Sequence, residues 1–177
     1  MNHKARNTND GQETGMRRIA IAITTLAALA GLAIGAAPAY AQSGHFIESG
    51  AGAPTCTDIG LQVECTGKVA GLGGTTFEIT VQAEGIATVV CINPAGNRAP
   101  GQDTAVTVSG TTTPLPTPRN GQFVFTVTTD SPAPLPATPT CPNEQWTPVI
   151  TDVAFTTATL TLLEDGVVSD VITVTVT

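Results

Sequence analysis

Hydrophobic and polar residues alternate with a period of two along most of the chain after residue 60, a pattern typical of half-buried β-strands. No window shows the period of an amphipathic helix. The pattern therefore predicts an all-β protein. The predicted inward positions, strand by strand, are Leu61, Val63 and Cys65; Phe77, Ile79, Val81 and Ala83; Ala87, Val89 and Cys91; Val106 and Val108; Phe123, Phe125 and Val127; Ala158, Leu160 and Leu162; and Ile172, Val174 and Val176.

Turn-forming residues separate these predicted strands. Gly71–Gly74 breaks the chain, Glu84-Gly85 predicts a tight hairpin between the Phe77 and Val89 strands, and Asn120-Gly121 and Asp165-Gly166 are strong turn signals. Seven or eight short strands at this spacing predict a single antiparallel β-sandwich of immunoglobulin-like type, and a small β-barrel is the alternative.

Two segments, Thr111–Pro118 and Ser131–Pro142, are rich in proline. Proline cannot donate to a strand ladder, so both are predicted to be loops or extended crossovers. We expect the second to carry the chain between the sheets or across one end of them. A stiff connection is the favoured interpretation of each segment, and a glycosylated or partner-binding loop is the other.

The N-terminal region has the pattern of a secretory signal peptide over residues 16–41. Two arginines precede an uncharged apolar run, and Ala39-Tyr40-Ala41 supplies small residues for cleavage after Ala41. Residues 1–15 are polar and are interpreted as an over-extended start or a polar n-region. The predicted domain then covers residues 42–177 and is secreted. A retained membrane anchor is the alternative, since the apolar run could just span a bilayer.

Charge changes the expected partners. The whole chain has a formal net charge of −7. After the predicted cleavage, three basic residues (Lys68, Arg98 and Arg119) face twelve acidic ones, which gives −9. Such a surface repels phosphate backbones, so we expect no nucleic-acid partner, and the charge itself favours solubility. No membrane span is expected in the mature chain.

All four cysteines, Cys56, Cys65, Cys91 and Cys141, follow the predicted cleavage site, and export makes disulfides the default expectation. Four cysteines allow three connectivities. We favour Cys56–Cys65, which brackets a short turn, and Cys91–Cys141, which would tie a strand to the end of the second proline-rich segment. A zinc site is disfavoured because the chain lacks the close cysteine pairs that such sites use.

Residues with the chemistry of catalysis are sparse. His45 is the single histidine after the cleavage site, close to a terminus expected to fray, and oxidised cysteines offer no thiolate. The chain is therefore predicted not to be an enzyme, with no catalytic residue, metal ligand or cofactor. Turns carry several carboxylates, which leaves calcium binding open as a hypothesis although no calcium-loop pattern occurs: Asp58, Glu144, Asp152, Asp165 and Asp170.

Two motifs, Cys91-Ile92-Asn93-Pro94-Ala95-Gly96-Asn97 and Cys141-Pro142-Asn143-Glu144-Gln145-Trp146-Thr147 with its continuation through Thr151–Leu160, are distinctive. Together with Val69–Gly73 and Asn120-Gly121, they resemble a family of small exported bacterial proteins of unknown function. The resemblance covers most of residues 42–177. It implies a Cys91–Cys141 disulfide and carries no activity, cofactor or site residue.

These observations predict a secreted, non-catalytic β-sandwich that acts by surface contact with an unknown protein, glycan or small molecule. The expected contact loops are Asn93–Gln102 and Ser131–Trp146, and their candidate residues are Asn93, Asn97, Arg98 and Trp146. Trp146 is expected either to pack over the second disulfide or to anchor a partner. The alternatives are a small-molecule carrier with an apolar cleft and, more weakly, a secreted hydrolase that uses acidic residues.

Overall fold

Ten β-strands form two antiparallel sheets in the computed structural model, which describes residues 43–177. The predicted segments 1–15 and 16–41 lie outside these residues. One 3₁₀ turn (Gly50–Gly52) and one helical turn (Ala137–Thr140, α1) accompany the strands. The strands are β1 (His45–Phe46), β2 (Thr55–Asp58), β3 (Val63–Ala70), β4 (Thr76–Ile92), β5 (Arg98–Pro100), β6 (Thr104–Thr111), β7 (Leu115–Pro116), β8 (Phe123–Thr128), β9 (Thr147–Glu164) and β10 (Val167–Thr175).

The first sheet is built around β3. One edge of β3 pairs with β8, and the other edge pairs with β2 and then β1. The second sheet is built on two long strands, β4 and β9, which pair from Phe77↔Glu164 to Ile92↔Thr147. β10 pairs with the second half of β9, while the other edge of β4 pairs in succession with β7, β6 and β5.

The sheets face each other across an apolar core and are not closed into a barrel, so the predicted β-sandwich is confirmed. Phe46 and Phe125 meet edge to face with ring centroids 5.7 Å apart, although β1 and β8 lie on opposite sides of β3. Most predicted inward positions are buried, among them Val63, Cys65, Phe77, Ile79, Val81, Leu160 and Leu162. Alternation therefore identified the faces correctly, because each strand has one face on the core and one in water.

The predicted hairpin at Glu84-Gly85 is wrong. β4 continues without a break from Thr76 to Ile92, and Ala83, Gly85 and Ala87 are all buried in one phase. A register shift occurs here instead, because Glu84 pairs with Thr157 and Gly85 with Phe155, so β9 carries an extra residue. A Cβ at Gly85 would lie 2.8 Å from the carbonyl oxygen of Ala154. The glycine therefore permits close approach of two strands and does not form a turn.

The strand count also exceeds the predicted seven or eight. β1, β5 and β7 have two or three residues each, which is too few for alternation to be visible in the sequence. β7 lies inside the first proline-rich segment and pairs with Thr76 and Phe77 at a sheet edge, where proline is tolerated. The second proline-rich segment carries the chain from β8 in the first sheet to β9 in the second, as expected.

Both predicted disulfides are present. Cys56–Cys65 joins two residues that pair directly across β2 and β3, and Cys91–Cys141 ties the end of β4 to the residue after α1. The Asp165-Gly166 hairpin is also confirmed, with φ of 48° and 81° at its two residues. Both angles lie in the left-handed region that a two-residue type I′ turn requires.

Candidate functional site

Glu164, at the end of β9, is a fully buried carboxylate. Its Oε1 accepts hydrogen bonds from the backbone N–H groups of Gly73 at 2.7 Å and Gly74 at 3.2 Å, and its Oε2 accepts one from Gly44 at 2.9 Å. Burial alone would raise the pKa of Glu164. The bonds from Gly73, Gly44 and Gly74, together with the hydroxyl of Ser169, outweigh burial and hold the pKa below its ordinary value.

Asp165, the next residue and the first of the Asp165-Gly166 turn, also accepts hydrogen bonds from the segment before β4, but its side chain is exposed. Its carboxylate accepts bonds from the hydroxyl of Thr75 at 2.6 Å and from the backbone N–H groups of Thr76 at 2.9 Å and Thr75 at 3.0 Å. The Thr75 hydroxyl leads the causes that lower the pKa of Asp165 to about 2. Glu164 and Asp165 together hold the segment between β3 and β4.

Two further carboxylates bind backbone amides. Asp58 accepts from the N–H of Gly60 at 2.8 Å and from that of Phe155 at 3.3 Å. Asp170 accepts from the N–H of Phe46 at 2.8 Å. Three of the five carboxylates considered for calcium, Asp58, Asp165 and Asp170, are thus structural acceptors. Within residues 43–177, no group of three or more His, Cys, Asp or Glu side chains is placed to hold a metal ion.

Sequence reasoning missed Glu164, although a signal was present. The residue follows Ala158, Leu160 and Leu162 at an interval of two, so the alternation places a carboxylate on the buried face. A buried carboxylate requires hydrogen-bond donors. The glycines that supply them lie some 90 and 120 residues away in the chain, and no local pattern identifies them.

His45 is not on a frayed end. It lies in β1, paired with Ala70, with its side chain exposed and Nδ1 3.0 Å from the carbonyl oxygen of Ser43. The strand holds its backbone through pairing with β3.

The first predicted contact loop, Asn93–Gln102, is more ordered than expected. Asn93 and Asn97 close a tight turn through a backbone bond of 3.0 Å, and the side chain of Asn93 accepts bonds from the N–H groups of Ala95 and Asn97. Asn93 is therefore used inside the loop. Arg98 follows the turn at the start of β5, pairs with Ile92, and is exposed.

The second loop meets the first beside a disulfide. Gln102 donates its backbone N–H to the carbonyl oxygen of Thr140 at 2.9 Å, and the Cys91–Cys141 bond lies next to this contact. The meeting point holds a shallow groove of about 230 Å³ lined by Pro100, Gly101, Gln102, Pro139, Thr140, Cys141 and Pro142. We call this region the loop junction. Trp146 is half-buried, and its backbone N–H donates to the carbonyl oxygen of Asn143 in a turn. That its ring covers the disulfide stays a prediction.

Other surface grooves are open to solvent and have mixed linings. One, of about 510 Å³, lies on the outer face of the first sheet between the Gly50–Gly52 turn and Lys68. Another, of about 470 Å³, lies between Glu48 and Ile172–Val174. A carrier that encloses its ligand needs a deeper and more apolar cleft than either.

Comparison with known proteins finds that no protein-family model and no curated protein sequence matches the chain. Among residues 43–177, no helix has both the length and the apolar character needed to cross a membrane.

Proposed function

We propose that this chain is a secreted, non-catalytic β-sandwich of immunoglobulin-like type whose loop junction makes contact with a protein or glycan partner. The observation behind the non-catalytic part of the proposal is the structural use of three carboxylates. Glu164, Asp165 and Asp58 accept backbone hydrogen bonds that hold loops in place. Groups committed in this way support structure, and a catalytic acid needs to reach a substrate.

Export is supported by two independent features. Residues 16–41 carry the pattern of a cleaved leader, and the two disulfides are compatible with an oxidising compartment. The protein recovered from the culture medium should begin at Gln42, which mass spectrometry of its N-terminal peptide would determine. Recovery of a chain that still carries residues 16–41 would contradict the export proposal.

The loop junction is favoured as the contact surface because it is both rigid and exposed. Disulfide Cys91–Cys141 and the Gln102–Thr140 bond fix two loops against each other, so binding would cost little ordering entropy. Arg98 is exposed, precedes Pro100 of the junction by two residues, and is one of three basic residues within residues 43–177. Arginine is over-represented among the residues that dominate binding energy.

Co-sedimentation tests this surface, with the washed envelope fraction of the producing cells as the probe. We expect Arg98→Ala to raise the apparent Kd from a co-sedimentation titration about tenfold, which corresponds to a lost contact of about 1.4 kcal/mol. Thr126→Ala, on the exposed face of β8 in the other sheet, is the matched control and should bind like the parent protein. Equal binding by both variants would contradict the contact role of the junction.

Native mass spectrometry of the protein from its own medium separates the alternatives. A bound small molecule would support a carrier and would count against the contact role. Reproducible turnover of a compound, lost on replacement of an exposed carboxylate, would support a hydrolase.

A further inference from the structure

The second proline-rich segment runs along the outer edge of the second sheet. β6 pairs with β4 along one edge, and on its other edge the carbonyl oxygen of Ser109 accepts a bond of 2.8 Å from the N–H of Asp130. At the far end, Gln102 donates to Thr140. Leu135, between these two ties, packs against the core. The segment therefore runs beside β6 and is anchored at both ends.

The hydroxyl groups in the two proline-rich segments fall into two structural classes. Most are used or buried: Thr111 donates to Glu78 at 2.9 Å, Thr112 accepts from the N–H of Ile79 at 3.0 Å, the Oγ1 of Thr117 is buried, and Thr140 is buried. The others are exposed and make no hydrogen bond within residues 43–177: Thr113, Ser131 and Thr138. Each of these three residues directly precedes a proline.

These three positions follow one edge of one sheet. Thr113 lies in the break between β6 and β7, and Ser131 directly follows Asp130, which bonds to Ser109 in the second half of β6. Thr138 lies two residues before Thr140, which contacts the break between β5 and β6. The exposed hydroxyls therefore border the discontinuous edge formed by β5, β6 and β7.

We propose that Thr113, Ser131 and Thr138 are O-glycosylated after the exported chain has folded, an inference that rests on the proposed secretion. Serine and threonine beside proline are typical of O-glycosylated segments. Proline keeps the preceding residue extended. Although Thr138 lies within α1, its φ of −112° and ψ of 136° are not helical, so its hydroxyl is presented on an extended backbone. A neutral, bulky sugar at each site would shield the sheet edge from pairing with another chain.

The reaction is a substitution with no redox change. The hydroxyl oxygen attacks the anomeric carbon of the proposed donor, a hexose carried on a polyprenyl phosphate. The new bond joins that carbon to the side-chain oxygen, and the bond between the carbon and the phosphate oxygen breaks. The phosphate leaves with the electron pair, and the hydroxyl proton passes to a base of the transferase.

Thr117 provides an internal control, because it also precedes a proline, Pro118. A rule based on sequence alone would treat it like Thr113 and Thr138. Its buried Oγ1 cannot reach a transferase in the folded protein. The structure therefore separates acceptors from a non-acceptor with the same dipeptide.

Intact-mass measurement of the mature protein from its native host tests the inference. We expect hexose additions, and fragmentation that preserves the sugar bond should place them on residues 113, 131 and 138. Thr113→Val, Ser131→Ala and Thr138→Val should each remove the additions at that site, while Thr117→Val should remove none. The Cys56–Cys65 and Cys91–Cys141 peptides, mapped without reduction, confirm that each variant is folded.

The outcomes distinguish this inference from the proposed export. A mature protein that begins at Gln42 and has the unmodified mass would overturn the glycosylation and leave export intact. Sugars confined to Thr117 would overturn it as well, as would phosphoryl additions in place of hexose. A chain found only inside the cell with residues 16–41 attached would overturn both.

Discussion

The carboxylate of Glu164 accepts a hydrogen bond of 2.9 Å from the backbone N–H of Gly44, which lies 120 residues earlier in the chain. A Cβ at Gly44 would lie 2.8 Å from this same oxygen, so a larger residue there would require the carboxylate to shift. The contact joins the start of the described domain to its last hairpin. It places a negative charge where the alternation of β9 calls for an apolar side chain.

Glu164→Gln should destabilise the protein by about 2–4 kcal/mol, because hydrogen bonds to a buried charged group contribute more than neutral ones. Glutamine keeps the shape of the side chain but has one acceptor oxygen in place of two. Its NH₂ group would therefore face a backbone N–H group, and two donors cannot bond to each other. The free energy of unfolding from urea titration measures this loss. Glu144→Gln, in an exposed loop, is the control and should change stability by less than about 0.5 kcal/mol. A similar small change for Glu164→Gln would refute the anchoring role.

The contribution of Asp165 to the stability of the fold should decrease as the pH falls. Its pKa is lowered from 3.8 to about 2, so its contribution is complete above the unfolded pKa and is lost as the pH falls from about 4 toward 2. Asp165→Asn should therefore melt at a lower temperature than the parent at pH 6, and the difference should shrink toward zero near pH 2. Asparagine tolerates the left-handed backbone of the hairpin, so the turn itself is preserved. A difference in melting temperature that stays constant with pH would count against this assignment.

Gly85→Ala should destabilise the fold by about 1–3 kcal/mol, as overpacking of a closely packed site does. The new methyl group would lie 2.8 Å from the Val153 side chain and 2.9 Å from that of Phe155. Thermal or urea unfolding followed by circular dichroism checks the size. Glu84→Ala, the neighbouring residue on the exposed face, should be nearly neutral. A changed circular dichroism spectrum of the folded Gly85→Ala variant would instead indicate that Gly85 forms a turn, and would contradict its role within a continuous β4.

Removal of the Cys91–Cys141 disulfide by alanine at both positions should cost more stability than removal of Cys56–Cys65. The closed loops have sequence separations of 50 and 9, which correspond to about 4 and about 3 kcal/mol in the chain-entropy account. The larger effect should come with faster proteolysis between Ser131 and Trp146, since the loop junction loses its covalent tie. Limited proteolysis followed by peptide mapping reports the cleavage sites. Equal cleavage in both double variants would contradict the role of the tether.

Local patterns predicted the strands well where one face of a strand is buried and the other is wet. The inward residues of β3, β4, β8 and β9 followed from alternation, and the Asp165-Gly166 hairpin followed from its dipeptide. The error at Glu84-Gly85 has a local cause. Glycine marks both turns and places of close backbone approach, and the difference depends on the strand beside it, here β9 with its extra residue.

The sequence by itself determined the all-β class and the inward face of each long strand, because these depend on spacing along the chain. It favoured the disulfide pairing that is present but did not decide it. Only the tertiary structure decided what the polar side chains do. Glu164 became an anchor because Gly44, Gly73 and Gly74 converge on it, and Thr113 and Thr117 differ because one is exposed and the other is buried. Contacts between residues about 90 or 120 positions apart leave no mark in a local pattern, because they form only when the sheets have paired.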